Sequence, residues 1–361
     1  MDIKQNIYLD DWNCVFRKIP EEITKRSTDI LAKGINYNDS YGYELLKQNI
    51  KDELQDIGEY ELLCYISGSQ AVDQAVLISQ HQYKCTKLFK MKEVYHGLEI
   101  MHVDNADRSF KELELCYFSI DEKGELIADG LMEASNCIIL TEPLYLFAQY
   151  GSQAFNIMKN IQRIADQNHH ILIVDEVRSG VWKSGTFLLS EQFNHVTPHV
   201  ICFSKGLGLS ISISAACFNK QFYNNTLLKK MDVIKSNLSL SELAIQRAND
   251  LLGYSRKNEM FINNKTETIN SWIKNGYSSI DANDVIKQFH TSGLILVLVF
   301  NENLSKMRVK MFRQILLSKK IIVRHCEDRL LYINFPIDTE EAEVIITFDI
   351  MKETIKAVSG E

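Results

Sequence analysis

The 361-residue chain is short of residues that break or staple a fold: it has only 16 glycines and 4 prolines. No stretch therefore reads as a long linker or a low-complexity tail. No apolar run approaches the roughly 20 residues that a membrane span requires. The start of the chain, "MDIKQNIYLDDWN", is too polar to read as a secretory signal. Positive charge is also lacking. The net charge of -7 argues against a nucleic-acid partner, because a phosphate backbone rewards a basic face. These features predict a soluble protein of the cytoplasm. The 8 cysteines form no C-x-x-C pair, and Cys64, Cys137, Cys202 and Cys217 sit inside apolar runs, as small core residues do. His169 and His170 lack a ligand pair at helical or finger spacing, so they read as a surface turn, with no metal site predicted.

What the chain does have is ample core material, 45% hydrophobic residues against 24% charged, which is enough for more than one compact unit. Short apolar runs rich in β-branched and aromatic residues predict strands at Leu62–Ser67, Lys87–Glu93, Glu114–Ile120, Asn136–Glu142, His170–Asp175, Val200–Ser204 and Ser212–Asn219. Amphipathic segments predict helices at Gly42–Ile57, Gln70–Gln82, Phe155–Gln167 and Glu242–Ser255. Strands alternating with helices imply an α/β fold with a mainly parallel seven-stranded sheet. After about residue 280 the pattern changes to a strand at Leu294–Phe300, a helix-like stretch, a hairpin and a final helix over Thr339–Val358. That is a smaller α+β domain. The expected division is an N-terminal segment over 1–35 packing with the small domain, a large domain over 36–255 and a small C-terminal domain over 256–361.

In an open α/β sheet, ligands bind beyond the carboxyl ends of the strands. The predicted strand ends carry Ser67-Gly68-Ser69, Tyr95-His96-Gly97, Glu142-Pro143, Asp175 and Lys205. Each has a plain reading and a chemical one. Serine and glycine open helices as caps; their free N–H groups also hold phosphate. No G-x-x-x-x-G-K-[ST] and no G-x-G-x-x-G is present, which excludes a P-loop and leaves a dinucleotide site unsupported. A strand-end lysine reaches for solvent, or, once desolvated, becomes an amine nucleophile able to form a Schiff base. Asp175 is a strand-end acid pairing with Arg178, or a carboxylate that keeps a pyridine nitrogen protonated. Tyr95 packs in a core or stacks on a flat ring. Arg178 is either a substrate-carboxylate clamp or a structural partner of Glu176 or Glu142. Together, a phosphate cradle, a stacking aromatic, a pyridine-facing acid and an aldehyde-capturing lysine are what pyridoxal phosphate demands.

On these residues the sequence resembles a class III aminotransferase of the aspartate-aminotransferase superfold (fold type I), most like the glutamate-1-semialdehyde aminomutase branch. "SGSQAVDQAVLISQ", "YHG", "DEVRSG" and "SKGLGLSISISA" carry the resemblance. It implies that Lys205 is the Schiff-base lysine and proton shuttle, and that Asp175 pairs with the pyridine nitrogen. It places Val177 on the ring face opposite Tyr95, with His96 beside it, Gly68 and Ser69 on the phosphate, and Glu142 in support. A phosphate contact from a partner subunit would fall on Ser236, Asn237 or Ser239. The implied protein is a homodimeric pyridoxal-phosphate aminotransferase with shared active sites, acting on a small amine and a keto or aldehyde acceptor. An aminomutase, a racemase or decarboxylase, or a non-catalytic partner protein of the same fold are the alternatives. The chain departs from the family in several places: Gln70 stands where glutamate is usual, and the partner-subunit threonine has no clean match. Its N-terminal segment reads as short. Leu209, Ser210 and Ser212 replace the family's glycines and proline. Tyr332 stands where the family has a late arginine.

Overall fold

The computed structural model describes residues 15–32, 40–97, 113–193, 196–229, 241–280, 284–325 and 329–359. They gather into two compact units. The larger unit spans Ile19–Val181 and Phe187–Lys257. Its helices are α1 (Glu21–Ala32), α2 (Ser40–Glu53), α3 (Gly68–Tyr83), α4 (Pro143–Tyr150), α5 (Ala154–Asn168) and α6 (Glu242–Lys257). Its strands are β1 (Tyr60–Tyr65), β2 (Lys87–Met91), β3 (Glu114–Ile120), β4 (Leu126–Ile127), β5 (Ile138–Thr141), β6 (Ile171–Asp175), β7 (Val200–Phe203) and β8 (Ser214–Asn219). They form one sheet in the order β1-β8-β7-β6-β5-β2-β3-β4. The run from β7 through β6, β5 and β2 to β3 is parallel. Antiparallel pairs close both edges, β7 with β8 and β8 with β1 on one side and β3 with β4 on the other. The sheet has eight strands, where the sequence predicts seven. The additional strand is the two-residue β4, too short for any alternation to mark it.

The central strands explain their own position. β5, β6 and β7 are buried at every residue, which suits a parallel strand covered on both faces and shows in the sequence as an unbroken apolar run. On one face α3 packs Ala71, Val72, Ala75 and Val76 against Leu63, Leu140, Ile173, Cys202 and Phe218 in one continuous core. α5 turns Ile157, Met158 and Ile161 inward. Small α3 residues let the helix lie close to the strands, and its start is set by Ser67, whose Oγ accepts the Gln70 N–H at 3.1 Å. Cys64, Cys137, Cys202 and Cys217 are all buried.

The smaller unit includes residues 15–18, Trp182–Thr186 and Asn258–Glu361. Of the segment 1–35, α1 thus falls in the larger unit. The smaller unit carries α7 (Glu259–Ser278), β9 (Ile286–Ser292), β10 (Ile295–Phe300), α8 (Lys306–Ser318), β11 (Arg324–His325), β12 (Leu330–Asn334) and α9 (Glu341–Ser359). Its four strands form an antiparallel sheet in the order β11-β12-β10-β9. Arg17 ties the described N-terminal residues to α9 through a bidentate pair with Glu343, at 2.7 and 2.9 Å. No helix among the described residues is long and apolar enough to cross a membrane.

The histidine pair differs from its sequence reading. His169 is in a turn, at the left-handed C-cap of α5. His170 is buried rather than at the surface: its Nδ1 accepts the Cys137 N–H and its Nε2 faces the Leu131 carbonyl at 3.0 Å. His170 precedes β6 and His199 precedes β7, and burial disfavours the charged form of both. Burial lowers the pKa of His170, and pushes that of His199 down to about 4. His199 Nδ1 accepts the Leu172 N–H at 3.2 Å, which the protonated ring cannot do. The unfolded chain binds a proton at His199 below about pH 6.5 that the folded chain refuses, so folding stability falls as pH drops from about 6.5 toward 4. Urea unfolding of the parent and of His199→Asn at pH 7.5 and pH 5 tests this. The parent should lose about 2 kcal/mol more than the variant over that interval.

Candidate active site

The run "ILIVD" ends with one carboxyl, Asp175, and a second, Glu176, follows it; the fold treats them differently. Both are buried, Asp175 at 5% exposure and Glu176 at 0%. Glu176 is satisfied by the backbone that follows it. It accepts the Ser190 N–H at 2.6 Å, the Leu189 N–H at 3.2 Å and the Ser179 hydroxyl. It holds the backbone at Leu189–Ser190 and the side chain of Ser179. Asp175 points elsewhere, into a cavity of about 240 Å3 beyond the sheet's carboxyl ends.

Gly68, Ser69, Tyr95, His96, Asp175, Val177 and Lys205 line that cavity together, with Ser67, Val72, Arg178 and Ser204. The topology accounts for this gathering. α3 starts directly after β1, Tyr95 and His96 follow β2, Asp175 ends β6 and Lys205 follows β7 by one residue. Glu142, just past β5, is not among the lining residues. It is buried and holds the cavity-lining Arg178 in a bidentate ion pair through Nε and Nη2. The partner of Arg178 is thus Glu142, and Glu176 is committed to its own loop. Ser236, with Asn237 and Ser239, lies outside the described residues.

Asp175 Oδ1 accepts the Val177 N–H at 3.0 Å, and Oδ2 lies 2.9 Å from His96 Nδ1. Burial pushes the Asp175 carboxyl up to about 7, against the pull of the Val177 N–H, Arg178 and Lys205. Burial pushes His96 down to about 3, so the ring is neutral and its Nδ1–H donates to Asp175. The other ring nitrogen, His96 Nε2, is buried without a hydrogen-bond partner among the described residues. An aspartate poised this way ionises fully once a cation lies beside it.

At the opposite wall, the Ser69 hydroxyl and the Tyr95 phenol meet at 3.1 Å. The tyrosine is 50% exposed, with its ring free of the core. Gly68 is required by packing. A Cβ there would lie 2.7 Å from Val177 Cγ1 and 2.9 Å from Cγ2. The start of α3 and the loop after β6 therefore touch through a bare glycine, and this brings the helix's first N–H groups to the cavity wall.

Lys205 stands on strained backbone. Its φ is 48°, and the turn behind it holds Leu209 at 47° and Ser210 at 75°. Non-glycine residues visit this region at a cost of about 1–2 kcal/mol each. The strained turn is braced by Arg247 of α6, whose Nη1–H donates to the Leu209 carbonyl at 2.8 Å and whose Nε–H donates to Ser27 Oγ at 3.0 Å. A second brace lies on the other side of the site. The Lys90 side chain is buried and donates to the carbonyls of Met91 at 2.8 Å and Val94 at 2.7 Å, shaping the loop that leads to Tyr95. Neither brace was found in the sequence. Lys90 could have been, as a lysine between the apolar residues Phe89 and Met91 of a predicted strand. Arg247 has no local signal, since its partners are 38 and 220 residues away.

The family model for class III aminotransferases matches residues 137–355. The chain belongs to the class III aminotransferases. Among curated relatives, it is 23% identical over 154 residues to an acetylornithine aminotransferase of Methanopyrus kandleri, covering 41% of this chain and 39% of that one. It is 25% identical over 230 residues to a leucine/methionine racemase of Thermococcus litoralis, covering 54% and 51%. The chain thus spans from two fifths to about half of the length of these curated relatives. Solved structures share its fold. An S-selective transaminase from Arthrobacter sp. with alanine bound superposes with a TM-score of 0.77 at 14% identity, over 98% of this chain and 89% of that one. A transaminase with L-alanine does so with a TM-score of 0.75 at 14% identity, over 97% and 93%. The fold is that of fold-type-I transferases. Membership of this family implies dependence on pyridoxal phosphate in general.

Two outcomes follow from the packing of this class III aminotransferase. Gly68→Ala should destabilise the protein by about 1–3 kcal/mol through overpacking against Val177, and Val177→Ala should relieve most of that loss in the double variant. Urea denaturation of the single and double variants measures the coupling. Ser210 is exposed, so Ser210→Gly should relieve strain without losing packing and raise stability by up to about 1 kcal/mol in thermal melts.

Proposed function

We propose that this protein is a pyridoxal-phosphate-dependent aminotransferase in which Lys205 carries the cofactor's aldehyde. The observation that supports this most directly is the sharing of one cavity by a strand-end amine, Lys205, a poised acid, Asp175, and a helix N-terminus, that of α3. The donor set suits the cofactor's parts. The first N–H groups of α3 and the Ser69 hydroxyl suit a phosphate dianion, for which the helix dipole is favourable. Val177 and Tyr95 offer an apolar edge and an aromatic face to a flat ring. Asp175 suits a protonated pyridine nitrogen, because a neighbouring cation draws it to the carboxylate form. His96, neutral and buried, donates to that carboxylate and fixes its orientation.

When bound, pyridoxal phosphate would supply an aldehyde to capture amines and a protonated ring able to store an electron pair. The chain's own residues do the rest. Lys205 would hold the cofactor's aldehyde, and its amine would carry the proton at the substrate carbon. Arg178 is locked to Glu142, and this pair closes one wall of the cavity. The expected substrates are a small amine or amino acid and a keto or aldehyde acceptor, and the working form is a homodimer with shared active sites. Ile66 and Tyr95, 43% and 50% exposed in the single chain, are large apolar side chains beside the site that a second subunit would cover.

The test is an absorbance titration of the purified protein with pyridoxal phosphate, beside Lys205→Ala. The parent should develop a visible Schiff-base band and the variant should not. A panel of amines added to the loaded parent should bleach the band for the true donor class. Loss of the band in both proteins, or its equal appearance in both, would remove Lys205 from this role. A band that every amine leaves unchanged would place the cofactor without transamination.

A further inference from the structure

We infer that the exposed face of α8 is a docking surface for an acidic amphipathic helix of another protein. From Asn303 to Cys326 the chain carries no Asp or Glu, although its net charge is -7. Over the same stretch it carries Lys306, Arg308, Lys310, Arg313, Lys319, Lys320 and Arg324. Arg308, Lys310, Lys319 and Lys320 make no ion pair among the described residues. Lys306 and Lys310 are one helical turn apart, as are Lys310 and Arg313. Like charges at this spacing destabilise a helix, and an ordinary solvated face carries Glu–Lys pairs there.

The apolar content of this face is equally unusual. The core side of α8 is supplied by Val309, Phe312 and Leu316, with Phe312 edge-on to Phe300 at 5.1 Å. On the opposite side Met307 is 81% exposed, Met311 43% and Leu317 52%. Met307 and Met311 are one turn apart, and the half-buried Ile315 continues their line, while Leu317 lies about 80° round the helix from Met307, on the flank with Lys310. Exposed methionines adapt their shape to a partner's surface. An apolar stripe bordered by cations fits the mirror pattern, a helix with a leucine-like stripe bordered by carboxylates. From Lys306 to Ser318 the helix is about 20 Å long, which matches a partner helix of about four turns.

The pattern favours this occupant over the others. A lipid surface rewards a broad apolar face, and the broad face of α8 is already buried in its own unit. Single-stranded nucleic acid rewards exposed aromatic rings between the cations, and the exposed large side chains here are methionine and leucine.

The experiment uses the full chain and a synthetic 18-residue helical peptide with Glu and Asp flanking a leucine stripe, followed by fluorescence anisotropy. Saturable binding is expected, weakening by about tenfold or more for Met307→Ser with Met311→Ser and for Arg308→Glu with Lys310→Glu. These side chains are exposed, and unchanged thermal melting of the variants confirms that folding is not the cause. A peptide with glutamines in place of the leucines should bind about tenfold more weakly at the same charge. Four outcomes would overturn the proposal: no saturable binding, equal binding of the leucine-free peptide, unchanged binding by the methionine variants, or binding to phosphatidylserine vesicles in preference to the peptide. Self-association of the parent that the same variants abolish would also overturn it, by assigning the face to a second copy of the chain.

Discussion

The burial of two adjacent carboxyls at the end of β6 is the constraint to which the rest of the site answers. An ionised carboxylate out of water must be matched by donors, or it takes up a proton. Glu176 is matched three times over by the loop that follows it, and that loop is thereby fixed. Asp175 is matched twice, by one backbone N–H and one neutral imidazole, and it is left near 7. Glu176 is thus spent on the backbone that follows it, and Asp175 remains responsive to whatever enters the cavity. Neighbouring residues of the same chemical type take opposite roles because successive side chains leave a strand end in opposite directions.

The same economy governs the other walls. Arg178 lines the cavity while its charge is held by a buried glutamate. Breaking such a pair by removing one partner leaves a buried charge exposed to no compensation, so the wall is stiff. Lys205 and the turn behind it sit on left-handed backbone without glycine's help at Leu209 or Ser210. Arg247 reaches that turn from α6 and ties it to α1. A strained lysine loop is held in place by long-range hydrogen bonds.

The exposed basic face of α8 belongs to a different unit from this site and rests on different physics. The site depends on burial, which magnifies the effect of each donor and charge. The α8 face depends on solvated charge, whose individual pair energies are small and whose reach is set by salt. A surface of that kind is suited to guiding a partner rather than to holding a small molecule.

Much of the fold was open to inspection in the amino-acid order. Buried parallel strands need apolar side chains on both faces, so β5, β6 and β7 appear as continuous runs, and the helices between them appear by their period. Elements without such a signature escaped: β4 is two residues long, β9 carries "IKQFHTS" with few core residues, and α4 begins at a proline inside an apolar stretch. Of the candidate site, the residues at strand ends could be named from position, because the carboxyl edge of such a sheet is where a ligand fits. What the sequence by itself determined was the set of chemical groups at that edge: a lysine, an acid, an aromatic and a serine-glycine helix start. Only the tertiary structure decided that Glu176 is spent on the backbone that follows it and that Glu142, rather than Glu176, takes Arg178. Those choices depend on side-chain direction and on donors that are distant in sequence, and neither is encoded by spacing along the chain.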